Sequence, residues 1–373
     1  TDPNLEVTQL FRVVLAVDSV LSQEPPAREG ITPLPLITFT NSHGLALMLD
    51  QRLAYERPEQ RVQRRKINYI PLSAEEIRHG IETQVSRHRG LSAVYQDLLN
   101  FGNQELYIVK PATDVATFGE AVTNSLRSTP VGVVKDGVLD LWPDWEFPLV
   151  DTQLITLAAH HSEATLIATS QNQYTLVGKR RSPEKFSGNK ERFLFLGWGV
   201  GAARLAESLE RILPTGSTLT VVPREDTDST IPKYFCSEGV KTFSSAAGDP
   251  LADLTFFDSF DHVIVFSDDT VSAETSDAAV LIDLLSCRRY ANTISDPDRR
   301  FTIVAELKKR SSRYIAGERL ADDLLINDTL LASAAVQLAF SPDLESVFNE
   351  LLSEENPVEL ITRPISFWKL DLN

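Results

Sequence analysis

The sequence predicts an α/β fold: parallel sheets with crossover helices in tandem domains of one type, and a small α+β lobe between them. Apolar strands alternate with amphipathic helices near both ends of the chain, which is the pattern of βαβ units. A glycine loop follows a strand at Gly197. One stretch occurs twice, since residues 91–111 return without a gap at 344–364, at an offset of 344 − 91 = 253. Leu91/Leu344, Val94/Val347, Leu98/Leu351, Leu99/Leu352, Asn103/Asn356, Ile108/Ile361 and Pro111/Pro364 are identical, and Tyr95/Phe348, Asp97/Glu350 and Lys110/Arg363 are similar. Each copy puts apolar residues on one helix face, then a polar turn and a short strand ending at proline. A repeat of this length marks a duplicated domain.

Taken in order, residues 6–21 read as a helix with Leu10, Val13, Val14 and Val17 on one face. A proline-rich loop, the strand 34–40, a helix at 44–52, a basic loop at 61–66, the strand 67–70 and a helix from Ala74 follow. After the first repeated helix come short strands at 105–110, 131–135, 138–141 and 153–157, with one helix near 118–126. Lys135-Asp136-Gly137 reads as a hairpin turn. The polar run 178–188 reads as a linker. A second alternating unit then opens at Glu191, with strands at 193–196, 218–222, 240–243, 262–266, 301–304 and 323–326.

The expected domains are 1–103, the second half of a first parallel-sheet lobe with its linking helix; 104–170, the small α+β lobe; 171–190, the linker; 191–340, a second parallel-sheet lobe; and 341–373, the second linking helix and the start of another small lobe. On this reading the first unit lacks its front and the second its back. Thr1-Asp-Pro-Asn carries no signal-peptide pattern, and without a methionine it suggests a cut or processed chain.

With 52 acidic and 36 basic residues the formal charge is −16. That argues against nucleic-acid binding, which depends on neutralising phosphates, and permits attraction of cations. Cys236 and Cys287 provide neither a disulfide framework nor metal-ligand spacing, so reduced thiols are expected. No apolar run is long enough to span a membrane as a helix.

Gly197-Trp198-Gly199-Val-Gly201-Ala202, between a strand and a helix, fits the G-x-G-x-x-G/A pattern of a Rossmann-like lobe. Its glycines permit a tight turn and bring backbone N–H groups close to a phosphate. The acid expected after the second strand is replaced by Pro223-Arg224-Glu225. Glu225 is placed to reach a ribose hydroxyl, and Arg224 a phosphate. The alternative is a Rossmann-like turn with no ligand. Asp226, Asp228, Asp268, Asp269, Glu274 and Asp277 fall beyond the carboxyl ends of strands, where ligands of open α/β sheets bind. Such oxygen ligands suit Ca²⁺ or Mg²⁺, and helix capping or solvation is the competing account. Enzyme motifs are missing: there is no G-x-S-x-G elbow, Cys/His pair or H-E-x-x-H. His160-His161 reads as a surface turn, His262 as structural, and Trp142 and Trp145 as packing.

At Glu191-Arg-Phe-Leu-Phe-Leu-Gly-Trp198 the chain resembles the Castor/Pollux family of ion channels, whose cytosolic part consists of tandem RCK-type domains. The resemblance continues through Ser267–Thr270, Ser276–Leu285, Ile303–Glu306, Asp323–Leu330 and the repeated stretch, with Gly90–Phe101 and Glu105–Ile108 looking like the end of the first such domain. Gly199-Val-Gly201 departs from the charged residues of plant members, which brings this loop closer to a nucleotide binder. The resemblance implies the gating-ring region of a cation channel, on the cytoplasmic side of the membrane. Its expected partners are a membrane pore domain and further copies, as a tetrameric ring or dimers of it. The candidate ligands are Ca²⁺, NAD or an adenine nucleotide. An NAD-dependent oxidoreductase and a ligand-free assembly scaffold are the alternatives.

Overall fold

The structure, a computed structural model, describes residues 12–14, 16–17, 19–20, 34–40, 67–100, 104–125, 127–165, 189–224, 230–243, 251, 254–295, 300–325, 328–352 and 360–362. The expected helix at 44–52, the basic loop 61–66 and the linker run 178–188 lie outside them. Two compact units interleave along the sequence. One comprises Thr1–Arg78, Asp97–Tyr174 and Asp328–Val358; the other comprises His79–Gln96, Thr175–Asn327 and Glu359–Asn373.

In the first unit, β1 (Leu34–Thr40) and β2 (Ile67–Ser73) pair in parallel, with Leu34 opposite Ile67. Helix α1 (Ala74–Arg87) and helix α2 (Leu91–Leu99) follow in sequence, with residues 79–96 belonging to the second unit. The small lobe is a four-stranded antiparallel sheet in the order β3-β6-β4-β5, with β3 at Glu105–Val109, β4 at Ser128–Lys135, β5 at Val138–Leu141 and β6 at Gln153–Ala158. The hairpin turn expected at Lys135–Gly137 is present, since Asp136 (φ 52°) and Gly137 (φ 77°) adopt the positive φ that a tight two-residue turn requires. Helix α3 (Phe118–Asn124) starts at Thr117, whose hydroxyl accepts from the Glu120 N–H. It buries Phe118 and Ala121 against Val133, Leu149 and Leu154. The indole of Trp145 passes over Gly119 so closely that a Cβ there would lie 2.3 Å from it. A short helix α4 (His161–Ala164) closes this lobe, and the His161 ring meets Tyr107 edge-on.

The second unit holds a six-stranded parallel sheet in the order β11-β8-β7-β12-β13-β14. Its strands are β7 (Arg192–Leu196), β8 (Thr218–Val222), β11 (Lys241–Thr242), β12 (His262–Val265), β13 (Thr302–Ala305) and β14 (Asp323–Leu324), while β9 (Tyr234–Phe235) and β10 (Glu238–Gly239) form a separate antiparallel pair. Counted within the unit this order is 3-2-1-4-5-6, that of a dinucleotide-type Rossmann sheet, and its direction reverses between β7 and β12. The expected Rossmann-like α/β class therefore holds. Near-continuous burial of Phe193–Leu196 and Val263–Val265 agrees with strands covered on both faces. Leu194, Leu196, Val263, Val265 and Ile303 pack with Val280, Leu284 and Cys287 of helix α6 (Ala273–Ala291). Helix α5 (Val200–Ile212) follows β7, and helix α7 (Arg310–Leu320) follows β13, with a break at Gly317 (φ 44°).

The duplication extends beyond the repeated stretch. The offset of 253 carries α1 almost onto helix α8 (Asp328–Phe340) and α2 onto helix α9 (Glu345–Leu352). Leu91, Tyr95 and Leu99 are buried, as are Leu344, Phe348 and Leu352. The sheets they join are exchanged. Residues 79–96 group with the six-stranded sheet, whereas α8 packs on β1, and Gln337 of α8 donates to the Leu98 carbonyl at 2.8 Å. Of the short strand expected in the second copy, residues 360–362 carry no regular structure and the rest lies outside the described residues.

Candidate functional site: the switch-point crevice

The candidate site lies at the carboxyl edge of the six-stranded sheet, where β7 and β12 diverge. Gly197 ends β7 with φ 90°, a conformation that favours glycine, and a Cβ there would approach the Phe266 carbonyl to 3.3 Å. Its N–H donates to the Val222 carbonyl at 2.8 Å, and the Phe266 N–H donates to Leu196 at 2.9 Å, so the loop is tied to the strands on both sides. Gly199 is the N-cap of α5 in extended backbone, and a Cβ on it would meet nothing within 4 Å. Ala202, the third position of the pattern, is buried, as close helix–strand packing requires. Gly201 is exposed, with open space around its Cα. The Trp198 ring stacks on Phe195 with centroids 6.3 Å apart, and its indole N–H donates to Thr230 at 2.8 Å. A tight turn, an open N-terminal end of a helix and exposed backbone above Gly199 fit the phosphate of a nucleotide.

Arg224, two residues beyond β8, turns back over this loop. Its Nη2 donates to the Phe266 carbonyl at 3.2 Å and meets Asp283 Oδ2 of α6 at 2.9 Å. Glu225, Asp226 and Asp228 lie outside the described residues.

The remaining acids lie in the β12–α6 loop (Asp268, Asp269) and at the start of α6 (Glu274, Asp277), each with a partner. Asp268 Oδ1 accepts from the Thr270 N–H at 2.8 Å and its hydroxyl at 2.6 Å; these bonds, with Arg224 and Lys308 nearby, hold its carboxyl below the usual range. Asp269 is 2.9 Å from Lys308 Nζ, and Glu274 pairs with Lys309. Asp277 is buried and accepts from the backbone N–H groups of Lys308 and Lys309, both at 2.9 Å. Ser272 caps α6. Glu306, at the end of β13, accepts from the Ser267 N–H at 3.1 Å, and burial pushes its carboxyl upward. Among the described residues no group of three or more His, Cys, Asp or Glu side chains is placed to hold a metal ion.

Sequence reasoning missed Asp283, Lys308, Lys309 and Glu306. Asp283 carries a signal in hindsight, being a lone acid inside the apolar run Val280–Leu285. The lysines carry none, because their pairing depends on how two loops meet. His262 is structural, as expected: it stacks on Phe193 at 4.7 Å, and its Nε2 lies 3.1 Å from Glu191.

Comparison with known proteins connects this architecture to ion channels. The profile described as Castor and Pollux, part of voltage-gated ion channel, matches residues 75–174, which include α1, α2 and the small lobe. Ion channel DMI1 of Medicago truncatula is 23% identical over 334 residues, covering 77% of this chain and 37% of its own. Probable ion channel POLLUX of Arabidopsis thaliana is 24% identical over 331 residues, covering 77% of this chain and 39% of its own. The chain therefore spans little more than a third of the length of these relatives. Among solved structures, the GsuK RCK domain aligns with 85% of this chain and 58% of its own, at 18% identity and a TM-score of 0.33. These matches are to ion channels and not to an enzyme family, and among the described residues no helix is long and apolar enough to cross a membrane. The expected resemblance holds: this chain is similar in sequence to the Castor and Pollux ion channels along about three quarters of its length.

Proposed function

We propose that this chain is a ligand-sensing regulatory region of a cation channel, working as a gating ring on the cytoplasmic side beneath a membrane pore domain. The observation that carries the reading is the open glycine loop at the β7/β12 switch point, in a chain similar to ion channels. Gly197, Trp198, Gly199, Gly201, Ala202 and Arg224 would hold the phosphate side of NAD or an adenine nucleotide, with Glu225 near the ribose. A Ca²⁺ ion would draw its ligands from among Asp226, Asp228, Asp268, Asp269, Glu274 and Asp277.

Ligand binding biases the angle between lobes, and motion of the ring is passed to the pore. Moving a gate from mostly closed to mostly open takes about 5.5 kcal/mol of differential binding, or roughly 1.4 kcal/mol at each of about four concerted sites. A tenfold preference per site suffices, so a loosely formed site is adequate. The reading requires self-association, with copies assembling as a tetrameric ring or dimers of it. Light scattering at high protein concentration tests this directly: dimers or tetramers are expected, and a strictly monomeric species contradicts the gating ring.

A further inference from the structure

Arg224 stands where a dinucleotide-binding sheet usually turns an acid toward the ribose. Its guanidinium instead crosses the end of β7, bonded to Phe266 O at 3.2 Å and to Asp283 at 2.9 Å. The two side chains are only 23% and 14% exposed. A Cβ on Gly197 would lie 3.4 Å from Arg224 Nε, so the guanidinium rests against the glycine turn. That Nε is buried and has no hydrogen-bond acceptor among the described residues. Its Nη2 is therefore held by a carboxylate and a carbonyl, with the buried Nε–H left over.

We propose that Arg224 determines the specificity of the crevice and that the Arg224–Asp283 bridge is its latch. A ligand enters by offering Arg224 a phosphate in place of Asp283. This rests on the ligand-sensing reading above and names how that site is regulated. A guanidinium this far buried must remain paired. Phosphate matches its planar fork as well as a carboxylate does and can engage the leftover N–H. A neutral ribose cannot replace Asp283. The crevice therefore selects ligands with a phosphate beyond the pyrophosphate shared by all dinucleotides, such as ATP or NADP⁺, over NAD⁺. Exchange also releases α6 from the end of β8, which couples occupancy to a helix of the opposite face.

Calorimetric titration of the full chain with ATP, NADP⁺ and NAD⁺ tests this in the wild type, Asp283→Asn, Arg224→Gln and Arg224→Lys, with folding checked by circular dichroism. Asp283→Asn removes the competing charge and is expected to tighten ATP or NADP⁺ about tenfold, within the range of ordinary coupling energies. Arg224→Gln is expected to weaken both to the level of NAD⁺, and Arg224→Lys to fall between. Tighter wild-type binding of NAD⁺ than of ATP and NADP⁺, or unchanged or weaker affinity in Asp283→Asn, overturns the latch and leaves ligand sensing standing. No binding of any nucleotide to any of these proteins overturns the latch as well, and a parallel Ca²⁺ titration then shows whether ligand sensing falls with it.

Discussion

Arg87 and Glu191 meet at 2.8 Å, tying the end of α1 to the residue just before β7. Glu191 also faces His262 at 3.1 Å, so one carboxylate joins a helix and the first residue of β12. Burial alone would raise its pKa, but hydrogen bonds from His262 and Arg87 outweigh burial and hold it at about 2, against an ordinary 4.5. A depressed carboxylate contributes stability that is present above its unfolded pKa and lost as the pH falls through the folded one. Denaturant titrations should show on the order of 3 kcal/mol lost between pH 4.5 and 2, and Glu191→Gln should flatten that slope. An unchanged slope in the variant would assign acid sensitivity elsewhere.

Asp323 binds the other end of the same connection. Its carboxylate accepts from the Gly90 N–H at 2.5 Å and the Ser92 N–H at 2.9 Å, capping α2 from the edge of the sheet. Asp323→Ala leaves two N–H groups without this acceptor in a buried place, and should cost about 2–4 kcal/mol by urea unfolding. Asp323→Asn keeps an acceptor and should cost less.

Gly197→Ala forces a side chain into φ 90° and to 3.3 Å from a carbonyl. A loss of about 1–3 kcal/mol is expected by thermal melting. Gly199→Ala, in open extended backbone, should be nearly neutral for stability while weakening any ligand that approaches the loop.

Gly119→Ala drives a methyl into the Trp145 indole, 2.3 Å away before relaxation. Overpacking of this kind costs about 1–3 kcal/mol. Trp145 fluorescence should shift with it.

Both thiols are expected to be unreactive in the native state. Burial pushes Cys236 up to about 11, helped by Glu210, and pushes Cys287 up further. A thiol reagent should label two cysteines rapidly only after denaturation.

Local order was legible in the sequence, and exchange between distant parts was not. The strand–glycine–helix at Phe193–Ala202 could be read because its physics is contained in ten consecutive residues. The Leu91 and Leu344 repeats could be read because apolar spacing records a buried face. That α8 packs on β1 while residues 79–96 join the other sheet could not be read, since equivalent helices carry the same pattern whichever sheet they cover. The acids after β12 looked like free oxygen ligands because periodicity says nothing of Lys308 and Lys309, some forty positions onward. The sequence marks Arg224 only by the acid missing there, and its carboxylate partner Asp283 lies in a helix stretch that reads as apolar.

The central claim is that the switch-point crevice binds a regulatory ligand, and a thermal-shift panel tests it most directly. The panel contains NAD⁺, NADP⁺, ATP and Ca²⁺, applied to the wild type and to Gly197→Val. A ligand at 100 times its dissociation constant adds about 2.7 kcal/mol, which raises the melting temperature by several degrees. The account predicts such a rise for at least one nucleotide, lost in Gly197→Val. A flat panel for the wild type, with every ligand at millimolar concentration, would contradict it.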